Sequence, residues 1–453
     1  MSHSDRYDHY DLAIVGTGSG NSIVTPDFDG WRIALIEEGT FGGTCINVGC
    51  IPTKMYVYAA DVADTVRDSS RYGVDATLDG VRWRDVRDRI YGRIDPISVG
   101  GRAYRADGAN TTLYEAHAEF VSPGRLRLST GEQITADRIV IAAGSRPIIP
   151  DEVADADFHT SGTIMRVDEV PRRLAILGGG FIAAEFAHVF SAFGTEVTIM
   201  THSHPLLPHL DYEIATRFTE LAAKRWDVRL DVTVSTVDGS RITLSDGSVV
   251  DTDLLLVATG RRPNSDHLNL DAAGVAVHDD GRIVVDDYQR TTAEGIWALG
   301  DVCSPHQLKH VSNHEARVVS HNLAHPDDLM VADHRNVPSA VFTHPQLATV
   351  GLTEEQVREQ GIDYVSAIQP FGDVAYGWAM EDTTGVAKLL AERTTGRLLG
   401  AHLLGPHSSS LIQPLIQAMT FGQPAHELAR GQYWIHPALA EVVENALLKL
   451  PAG

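Results

Sequence analysis

The stretch that decides the fold is GGTCINVGCIPTK, residues 42–54. It holds two of the three cysteines of the chain, Cys45 and Cys50. A disulfide that closes so short a loop removes little entropy from the unfolded chain, so it is a poor structural crosslink. Residues 55–66 have helical spacing, and a helix N-terminus lowers the pKa of a nearby thiol. The pattern predicts a redox-active dithiol, with Lys54 adding positive charge one turn after Cys50.

Two other interpretations of the cysteine pair remain open from spacing alone. The side chains can be buried apolar residues, or they can be half of a metal site. The third cysteine, Cys303, is distant in sequence, and no histidine lies close to the pair. We therefore predict no bound metal and a structural role for Cys303.

The bulk composition limits the class of protein. With 453 residues, of which 43% are hydrophobic, the chain is long enough for about three domains. Its formal net charge of -23 at pH 7 argues against nucleic acid and against an anionic membrane surface as partners. No apolar run is long enough to span a bilayer. So few cysteines suit a reducing compartment, which predicts a cytoplasmic protein.

An apolar strand pattern at residues 10–15 runs directly into the glycine-rich segment GTGSGN, residues 16–21. A second strand pattern follows at residues 32–36, with Glu37 at its end. This order is typical of a dinucleotide-binding fold, in which the glycine turn receives a pyrophosphate and the acid holds ribose hydroxyls. It predicts a nucleotide that contacts this turn and Glu37.

The glycine-rich segment departs from the usual pattern at Asn21, which stands where a third glycine is common. Pro26 and Gly30 leave room for only a short helix before the second strand. Close packing of that helix against the strand is therefore an open question. Pyrophosphate binding depends on Gly16 and Gly18 and is still expected.

The same order recurs in the second part of the chain. A strand pattern at residues 174–177 runs into GGGFIA, residues 178–183, and is followed by a helical segment and a strand at 196–200. Each half then closes with a strand and the sequence A-x-G-x-R-P, at residues 142–147 and 258–263. An internal duplication is more specific than either glycine motif alone, and two such folds predict two nucleotide cofactors.

The last part of the chain has a different character. A strand pattern ends at Gly300 and Asp301, which places an acid at the carboxyl edge of a sheet. From about residue 337 onward, short strands and turns precede two predicted helices, at residues 408–419 and 438–448. These features predict an antiparallel α+β module.

Any one of the 21 histidines is more often structural or exposed than catalytic. His436 precedes Pro437 just outside a predicted helix, and Glu441 falls in the first turns of that helix. A carboxylate there can orient the imidazole and raise its pKa, which suits a proton donor to a leaving thiolate. His436 and Glu441 are therefore candidate acid–base residues.

Taken together, the chain resembles the pyridine nucleotide–disulfide oxidoreductases, which include glutathione reductase and dihydrolipoamide dehydrogenase. The motifs that carry the resemblance are GTGSG, GGTCINVGCIPTK, GGGFIAAEFA, ATGRRPN, IWALGDV and HPALAEVVENA. The resemblance implies an α/β fold with two Rossmann-like dinucleotide-binding domains, for FAD and NAD(P), and a C-terminal α+β dimerisation domain. The implied boundaries are an FAD-binding domain at 1–147, continued at 263–335, an NAD(P)H-binding domain at 148–262 and a dimerisation domain at 336–453.

The resemblance also implies roles for individual residues. Cys50 faces the flavin, Cys45 attacks the substrate, and His436 reaches the disulfide of the partner subunit in a homodimer. The implied catalytic residues are Cys45, Cys50, Lys54, Glu185, His436 and Glu441. The implied FAD-binding residues are Gly16, Gly18, Glu37, Gly43, Thr44, Lys54, Gly144 and Asp301. The implied residues for the nicotinamide cofactor are Gly178, Gly180, Phe181, Ala183, Glu185, His202 and Gly260.

Several segments resemble the mycothione reductase branch of that family more closely, among them CIPTKMYVYAADVA, GDVAYGWAMED and RGQYWIHPALAEVVENALL. This implies reduction of a small disulfide, mycothione, by way of FAD. The residues after the strand at 196–200 are THSH, with His202 and no acid to bind the ribose hydroxyls of NADH, which favours NADPH. A NAD-dependent dihydrolipoamide dehydrogenase, a glutathione-disulfide-type reductase and a redox sensor without turnover are the alternatives.

Overall fold

The structure is a computed structural model and describes residues 7–451. In chain order its strands are β1 Asp8–Val15, β2 Ile33–Glu37, β3 Thr111–Glu115, β4 Ala118–Ser122, β5 Arg125–Leu128, β6 Gln133–Ile141, β7 Ser145–Pro147, β8 Arg173–Leu177, β9 Glu196–Met200, β10 Asp227–Arg229, β11 Val234–Asp238, β12 Arg241–Leu244, β13 Val249–Asp251, β14 Leu254–Val257, β15 Arg261–Pro263, β16 Ile296–Ala298, β17 Ser339–Val341, β18 Gln346–Gly351, β19 Tyr364–Pro370, β20 Val386–Glu392 and β21 Leu398–Gly405. Its α-helices are α1 Gly43–Asn47, α2 Cys50–Asp68, α3 Trp83–Ala106, α4 Phe181–Ala192, α5 Tyr212–Arg225, α6 Lys309–Ala324, α7 Glu354–Glu359, α8 Ala375–Ala379, α9 Ser408–Leu411, α10 Gln413–Phe421, α11 Ala425–Arg430 and α12 Ala440–Leu448.

The first compact unit runs up to Met55 and adds Arg84–Ile148 and Gly260–His334. Its sheet is built on parallel strands in the order β3-β2-β1-β6, and β16 pairs in parallel with the C-terminal part of β6. β4 and β5 form an antiparallel hairpin that joins the N-terminal part of β6. The second half of β1, residues 12–15, is apolar and buried because both of its faces are covered, as is usual in parallel sheets.

The two A-x-G-x-R-P sequences pair with each other in this unit. β7 and β15 form an antiparallel ladder in which Arg262 lies opposite Arg146 and Pro263 lies opposite Ser145. The two facing arginines both contact Asp266, at 2.6 and 2.8 Å, which offsets their like charges. The hydrogen bond from Arg146 is the main reason why the pKa of Asp266 falls to about 2. The closing segments of the duplicated halves therefore meet in one place.

Two local predictions are wrong. Between β1 and β2 the chain forms only 3₁₀ turns, Gly20–Ser22 and Pro26–Phe28, and not the short helix expected there. The helix after the dithiol begins at Cys50 rather than at residue 55. Pro52 is compatible with the first turn of a helix, where its missing N–H is not needed. Cys50 is therefore the first residue of α2.

The second compact unit comprises Tyr56–Trp83, Ile149–Thr259 and the chain from Arg335 onward. Parallel strands in the order β10-β9-β8-β14 form a smaller nucleotide-type sheet, and β11-β12-β13 form an antiparallel sheet. α4 begins four residues after the end of β8 and is buried along most of its length, and most of its buried side chains are alanine and phenylalanine. The predicted duplication is thus present as one parallel sheet in each unit.

The remainder of the second unit is an antiparallel sheet in the order β17-β18-β21-β20-β19, with contacts from α9, α10 and α12. The helix predicted at residues 408–419 is divided into α9 and α10, because Pro414 is accommodated only in the first turn of a helix. The helix predicted at 438–448 begins at Ala440. The predicted antiparallel α+β module is confirmed.

Strand β20, which lies between β21 and β19, carries a buried charge, Lys388, with 2% of its side chain exposed. Its ammonium lies 2.8 Å from Asp211, 3.3 Å from Glu213 and 2.7 Å from Glu354. Asp211 also caps α5 by accepting a hydrogen bond from the backbone of Ile214. Burial alone raises the pKa of Asp211, but the hydrogen bond from Lys388 and nearby positive charge outweigh burial, and the net pKa is lowered. Lys388 therefore ties β20 to the starts of α5 and α7.

Lys388→Met is expected to lower the free energy of unfolding by about 3–5 kcal/mol, because it leaves the buried carboxylate of Asp211 without its cation. Burial then raises the pKa of Asp211 above its unfolded value. The penalty is therefore full near neutral pH and declines as the pH falls through that raised pKa. Urea unfolding at about pH 7 and about pH 5 measures both effects. Lys224→Met, at an exposed lysine of α5, is the matched control and should change stability by less than about 0.5 kcal/mol. Equal stability of the two variants contradicts the assignment.

Candidate active site

Two glycines open the dithiol segment. Gly42 (φ +100°) and Gly43 (φ +70°) have left-handed backbones, which favour glycine, and they start the short helix α1 that carries Cys45. Asn47 is buried, and its side chain donates to two backbone carbonyls of the same segment at 2.9 and 3.0 Å. These hydrogen bonds fix the end of α1, so that Cys50 follows at the start of α2.

The two sulfur atoms are present as thiols, close enough for a side-chain hydrogen bond. That hydrogen bond is the main reason why the pKa of Cys45 is raised; burial adds to the effect, and the charge of Lys309 opposes it. Cys50 is exposed, and Lys54 lies one turn after it in α2. Cys303 is buried, and burial raises its pKa, as expected for a structural cysteine.

Glu37, at the end of β2, closes the first glycine turn. Its carboxylate accepts hydrogen bonds from the backbone N–H and the hydroxyl of Thr17, at 2.9 and 2.6 Å, and from the N–H of Gly39 at 2.9 Å. Gly16 has φ +105°, and a Cβ atom there would lie 2.3 Å from the carbonyl oxygen of Ala142. Only glycine fits, and the narrow turn that results suits a pyrophosphate.

The same unit brings Asp301 next to the first A-x-G-x-R-P sequence. Its carboxylate accepts a hydrogen bond from the hydroxyl of Ser145 at 2.7 Å, and Arg261 donates to that hydroxyl at 2.9 Å. Burial lowers the pKa of Arg261. On the other side, the N–H of Gly300 donates to the fully buried carboxylate of Glu315 at 2.6 Å. These contacts hold Asp301 at the carboxyl end of β16.

The second glycine turn repeats the close approach to a carbonyl oxygen that is found in the first. Gly178 has φ +129°, and a Cβ atom there would lie 2.2 Å from the carbonyl oxygen of Ala258. Gly180 precedes α4 with open space around its α-carbon, and Ala183 is buried in that helix. An open helix N-terminus behind a narrow glycine turn suits a nucleotide phosphate. Each turn therefore fits a dinucleotide.

Three further predicted residues of the second unit lie around α4 and β9. Phe181, the first residue of α4, is 46% exposed. Glu185, one turn later, is buried and accepts the backbone N–H of Phe342 at 3.0 Å. His202 follows β9 and is exposed. In a dinucleotide fold, the carboxyl end of the first strand and the end of the second are where the cofactor binds.

A histidine–carboxylate pair lies before and within α12. Nδ1 of His436 and Oε1 of Glu441 are 2.7 Å apart, and Glu441 Oε2 accepts the N–H of Ala438 at 3.2 Å. The hydrogen bond with His436 is the main reason why the pKa of Glu441 is lowered. The His436 side chain is 72% exposed. Because Nδ1 faces the carboxylate, Nε2 is the ring nitrogen that can exchange a proton with a substrate.

Comparison with known proteins identifies the family. Residues 10–318 match the family model described as pyridine nucleotide-disulphide oxidoreductase, and residues 337–447 match the dimerisation domain of that family. The chain belongs to the pyridine nucleotide-disulphide oxidoreductases. The prediction of a flavoprotein disulfide oxidoreductase that uses FAD and a pyridine nucleotide is confirmed.

Relatives of this oxidoreductase match over nearly the whole chain. Mycothione reductase of Mycobacterium tuberculosis is 57% identical over 97% of this chain and 99% of its own length. Dihydrolipoyl dehydrogenase of Halobacterium salinarum is 32% identical over 96% of this chain and 95% of its own length. The copper(II) complex of the HOCl-induced flavoprotein disulfide reductase RclA from Escherichia coli has a TM-score of 0.86 at 32% identity and covers 98% of this chain and 100% of its own. The predicted family, branch resemblance and fold class are confirmed.

The predicted site residues of this oxidoreductase divide between the two units. The first unit holds the predicted FAD residues and both thiols, namely Gly16, Gly18, Glu37, Gly43, Thr44, Cys45, Cys50, Lys54, Gly144 and Asp301. The second unit holds Gly178, Gly180, Phe181, Ala183, Glu185, His202, His436 and Glu441. Gly260, assigned to the nicotinamide cofactor, lies in the first unit, where it precedes β15. The roles of all these residues, and the domain boundaries, stay predictions.

Residues 7–451 contain no helix that is both long enough and apolar enough to cross a membrane. Within the same residues, no group of three or more His, Cys, Asp or Glu side chains is arranged to hold a metal ion.

Gly20 was not among the predicted site residues. A Cβ atom there would lie 2.9 Å from side-chain atoms of both Ala142 and Ile14, so Gly20 provides the close packing that Asn21 left open. Asn21 instead accepts a hydrogen bond from Arg105 at 2.7 Å. The available signal was the third glycine of the run GTGSG. The other residues that were not predicted are Ser145, Arg261 and Lys309, whose partners are more than a hundred residues away, and Glu315, whose partner Gly300 is fifteen residues away.

Gly20→Val is expected to destabilise the protein by about 1–3 kcal/mol and to weaken flavin retention, because the added atoms overpack the contact with Ala142 and Ile14. Thermal unfolding and the flavin released on ultrafiltration measure the two effects. Gly30→Ala is the matched control, since nothing lies within 4 Å of a Cβ atom at Gly30. If Gly20→Val retains flavin as well as the Gly30→Ala control does, the close packing of Gly20 against Ala142 and Ile14 is not needed for flavin binding.

Proposed function

We propose that this chain is an NADPH-dependent, FAD-containing reductase of mycothione, the disulfide of an acetylcysteinyl sugar–inositol. One observation carries the proposal. The thiols of Cys45 and Cys50 lie together at the α1–α2 junction, in a chain 57% identical over nearly its whole length to mycothione reductase of Mycobacterium tuberculosis. We further propose a cytoplasmic location, because a thiol pair that must be re-reduced in each turnover suits a reducing compartment.

The residues assigned from sequence would hold the two cofactors. The backbone of the first glycine turn, with Glu37 and Asp301, would bind FAD, and the start of α4 would bind the nicotinamide nucleotide. Bound FAD supplies the route by which two electrons pass from the nicotinamide to the cysteine pair. The roles of Lys54 and Glu185 beside the flavin are part of the same proposal.

The thiol half-reaction follows from the chemistry of the pair. The Cys45 thiolate attacks one sulfur of the substrate disulfide, so that a Cys45–substrate bond forms as the substrate S–S bond breaks. The first thiolate released takes a proton from Nε2 of His436. Cys50 then attacks Cys45 and releases the second thiol. The cysteine pair is oxidised to a disulfide, and the substrate is reduced to two thiols.

We propose that the enzyme is a homodimer in which His436 acts on the dithiol of the other subunit. The match of residues 337–447 to the dimerisation domain supports this proposal. Two large apolar side chains just before His436 are strongly exposed in the single chain, Tyr433 at 104% and Ile435 at 76%. Exposed aromatic and aliphatic side chains are typical of a surface that is covered by a partner.

The preference for NADPH rests on the residues after β9. His202 is exposed, and His204 pairs with Asp231 at 3.0 Å. An unpaired acid at this position would favour the ribose hydroxyls of NADH, whereas histidine side chains can donate hydrogen bonds to an additional phosphate. His202→Glu should therefore shift the preference toward NADH.

Steady-state assays with purified protein test the proposal. NADPH and NADH are each paired with mycothione, glutathione disulfide and lipoamide. We expect kcat/KM to be at least about tenfold higher for mycothione than for either other disulfide, and higher with NADPH than with NADH. Faster turnover of lipoamide with a NAD(H) couple would overturn the proposal in favour of a dihydrolipoamide dehydrogenase.

A further inference from the structure

Lys309 is one of only five lysines in the chain, and it is the first residue of α6. Its ammonium donates a hydrogen bond to the hydroxyl of Ser19 at 2.8 Å. The Ser19 hydroxyl also lies 3.4 Å from the side-chain oxygen of Asn313, one turn later in α6. Lys309 is therefore held at the first glycine turn by a hydrogen bond, and it is not among the predicted site residues.

The first glycine turn packs directly on the segment that carries the attacking thiol. A Cβ atom at Gly43 would lie 2.7 Å from the α-carbon of Gly18, and the N–H of Gly42 donates to the hydroxyl of Thr17 at 2.9 Å. Cys45 follows two residues after Gly43. A cation held at Ser19, the neighbour of Gly18, is thus held next to α1.

The electrostatics agree with this placement. Titratable groups act on Cys45 from two other elements, Cys50 at the start of α2 and Lys309 at the start of α6. The hydrogen bond with Cys50 and burial raise the pKa of Cys45, whereas Lys309 lowers it. Cys50 in turn interacts with Arg261 in β15. Each thiol therefore has a cation from a different element.

We propose that Lys309 is the positioning cation that stabilises the Cys45 thiolate for its attack on the substrate disulfide. This inference rests on the proposed function for the identity of the substrate, but not for the state of the thiol. Thiol–disulfide exchange proceeds through the thiolate, and a partly buried thiolate needs a nearby positive charge.

The test compares the holoenzyme with Lys309→Met, Lys309→Gln and Lys309→Arg after reduction by dithiothreitol. Alkylation of Cys45 by iodoacetamide is followed by mass spectrometry from about pH 5 to about pH 10. We expect Cys45 alkylation at about pH 7 to be about tenfold slower in the Met and Gln variants, with the profile moved to higher pH. The Arg variant should stay within about twofold of wild type. Lys224→Met is the matched control, because Lys224 is exposed on α5.

Ser19→Ala keeps the charge of Lys309 and removes the hydroxyl that accepts its hydrogen bond. This variant provides a test if the Lys309 variants do not fold. It should slow Cys45 alkylation in the same direction by a smaller factor. If the folded variants show the same pH dependence of Cys45 alkylation as wild type, the inference is wrong. The assay contains no substrate disulfide, so failure of the proposed function appears separately, as lack of mycothione turnover by an enzyme whose Cys45 still responds to Lys309.

Discussion

Serine in place of Cys45 or Cys50 is expected to lower disulfide reductase turnover by about a thousandfold or more, because a hydroxyl cannot replace a thiol in disulfide exchange. The measurement is NADPH oxidation with mycothione as the acceptor. Cys303→Ser is the matched control, since Cys303 is the remaining cysteine and is buried. Its turnover should stay within about twofold of wild type. Full activity in either Cys45→Ser or Cys50→Ser excludes the dithiol mechanism.

The two serine variants also separate the roles of the thiols. In Cys50→Ser, Cys45 can attack the substrate once, and no second thiol is available to release the mixed disulfide. Mass spectrometry of the intact protein should therefore show an adduct of one substrate thiol on Cys45. Cys45→Ser should show no such adduct, if Cys50 faces the flavin rather than the substrate. An adduct on Cys50 alone would reverse the two assignments.

The duplicated glycine turns could be predicted from sequence because the constraint on them is local. Gly16 and Gly178 both have left-handed backbones, and a Cβ atom at either would meet a carbonyl oxygen at 2.3 or 2.2 Å. A short motif is enough to encode such a turn, since only glycine satisfies it. Gly42 and Gly43 before the dithiol also have left-handed backbones, which favour glycine. The glycine motifs were therefore enough to predict the fold class and the location of the site.

The pairing of the two A-x-G-x-R-P sequences could not be predicted in this way. The two repeats are recognisable in the sequence. Their residues do not indicate that β7 and β15 pair, or that Arg261 donates a hydrogen bond to Ser145. The partners are more than a hundred residues apart. Hydrogen bonds between distant segments depend on the completed sheet, and no local pattern records them.

Buried charges were missed for the same reason. A lysine within the apolar run of β20 looks in the sequence like an interruption, yet Lys388 satisfies three carboxylates. Glu315 in α6 is fully buried, and its carboxylate accepts one hydrogen bond from the N–H of Gly300 and interacts with His334 at 2.9 Å. A buried charge is tolerated only when an oppositely charged or hydrogen-bonding partner lies next to it. A buried charge can therefore be predicted only when its partner is predicted as well.

Replacement of His436 by glutamine is expected to reduce kcat for disulfide reduction by about a hundredfold to ten-thousandfold, because the leaving thiolate loses its proton donor. Glu441→Gln should reduce kcat less, by about tenfold, since the imidazole remains and only its orientation and charge are weakened.

The Glu441 carboxylate has a lowered pKa, so it stays ionised to a lower pH than a free glutamate. The His436–Glu441 pair should therefore persist through the acid side of the profile. The pH dependence of kcat in wild type and in Glu441→Gln measures this.

A mixed dimer tests whether His436 acts across the subunit boundary. Chains with Cys45→Ser and chains with His436→Gln each form an inactive homodimer under the proposed mechanism. In a dimer of one chain of each kind, the intact dithiol of the second chain faces the intact histidine of the first, if the site is shared between subunits. About half of the wild-type activity per dimer should then return, since one of the two sites is complete. If His436 instead acts within its own chain, neither chain has a complete site, and the mixed dimer stays inactive. Differently tagged chains, co-expressed and purified on both tags in succession, allow the two results to be distinguished.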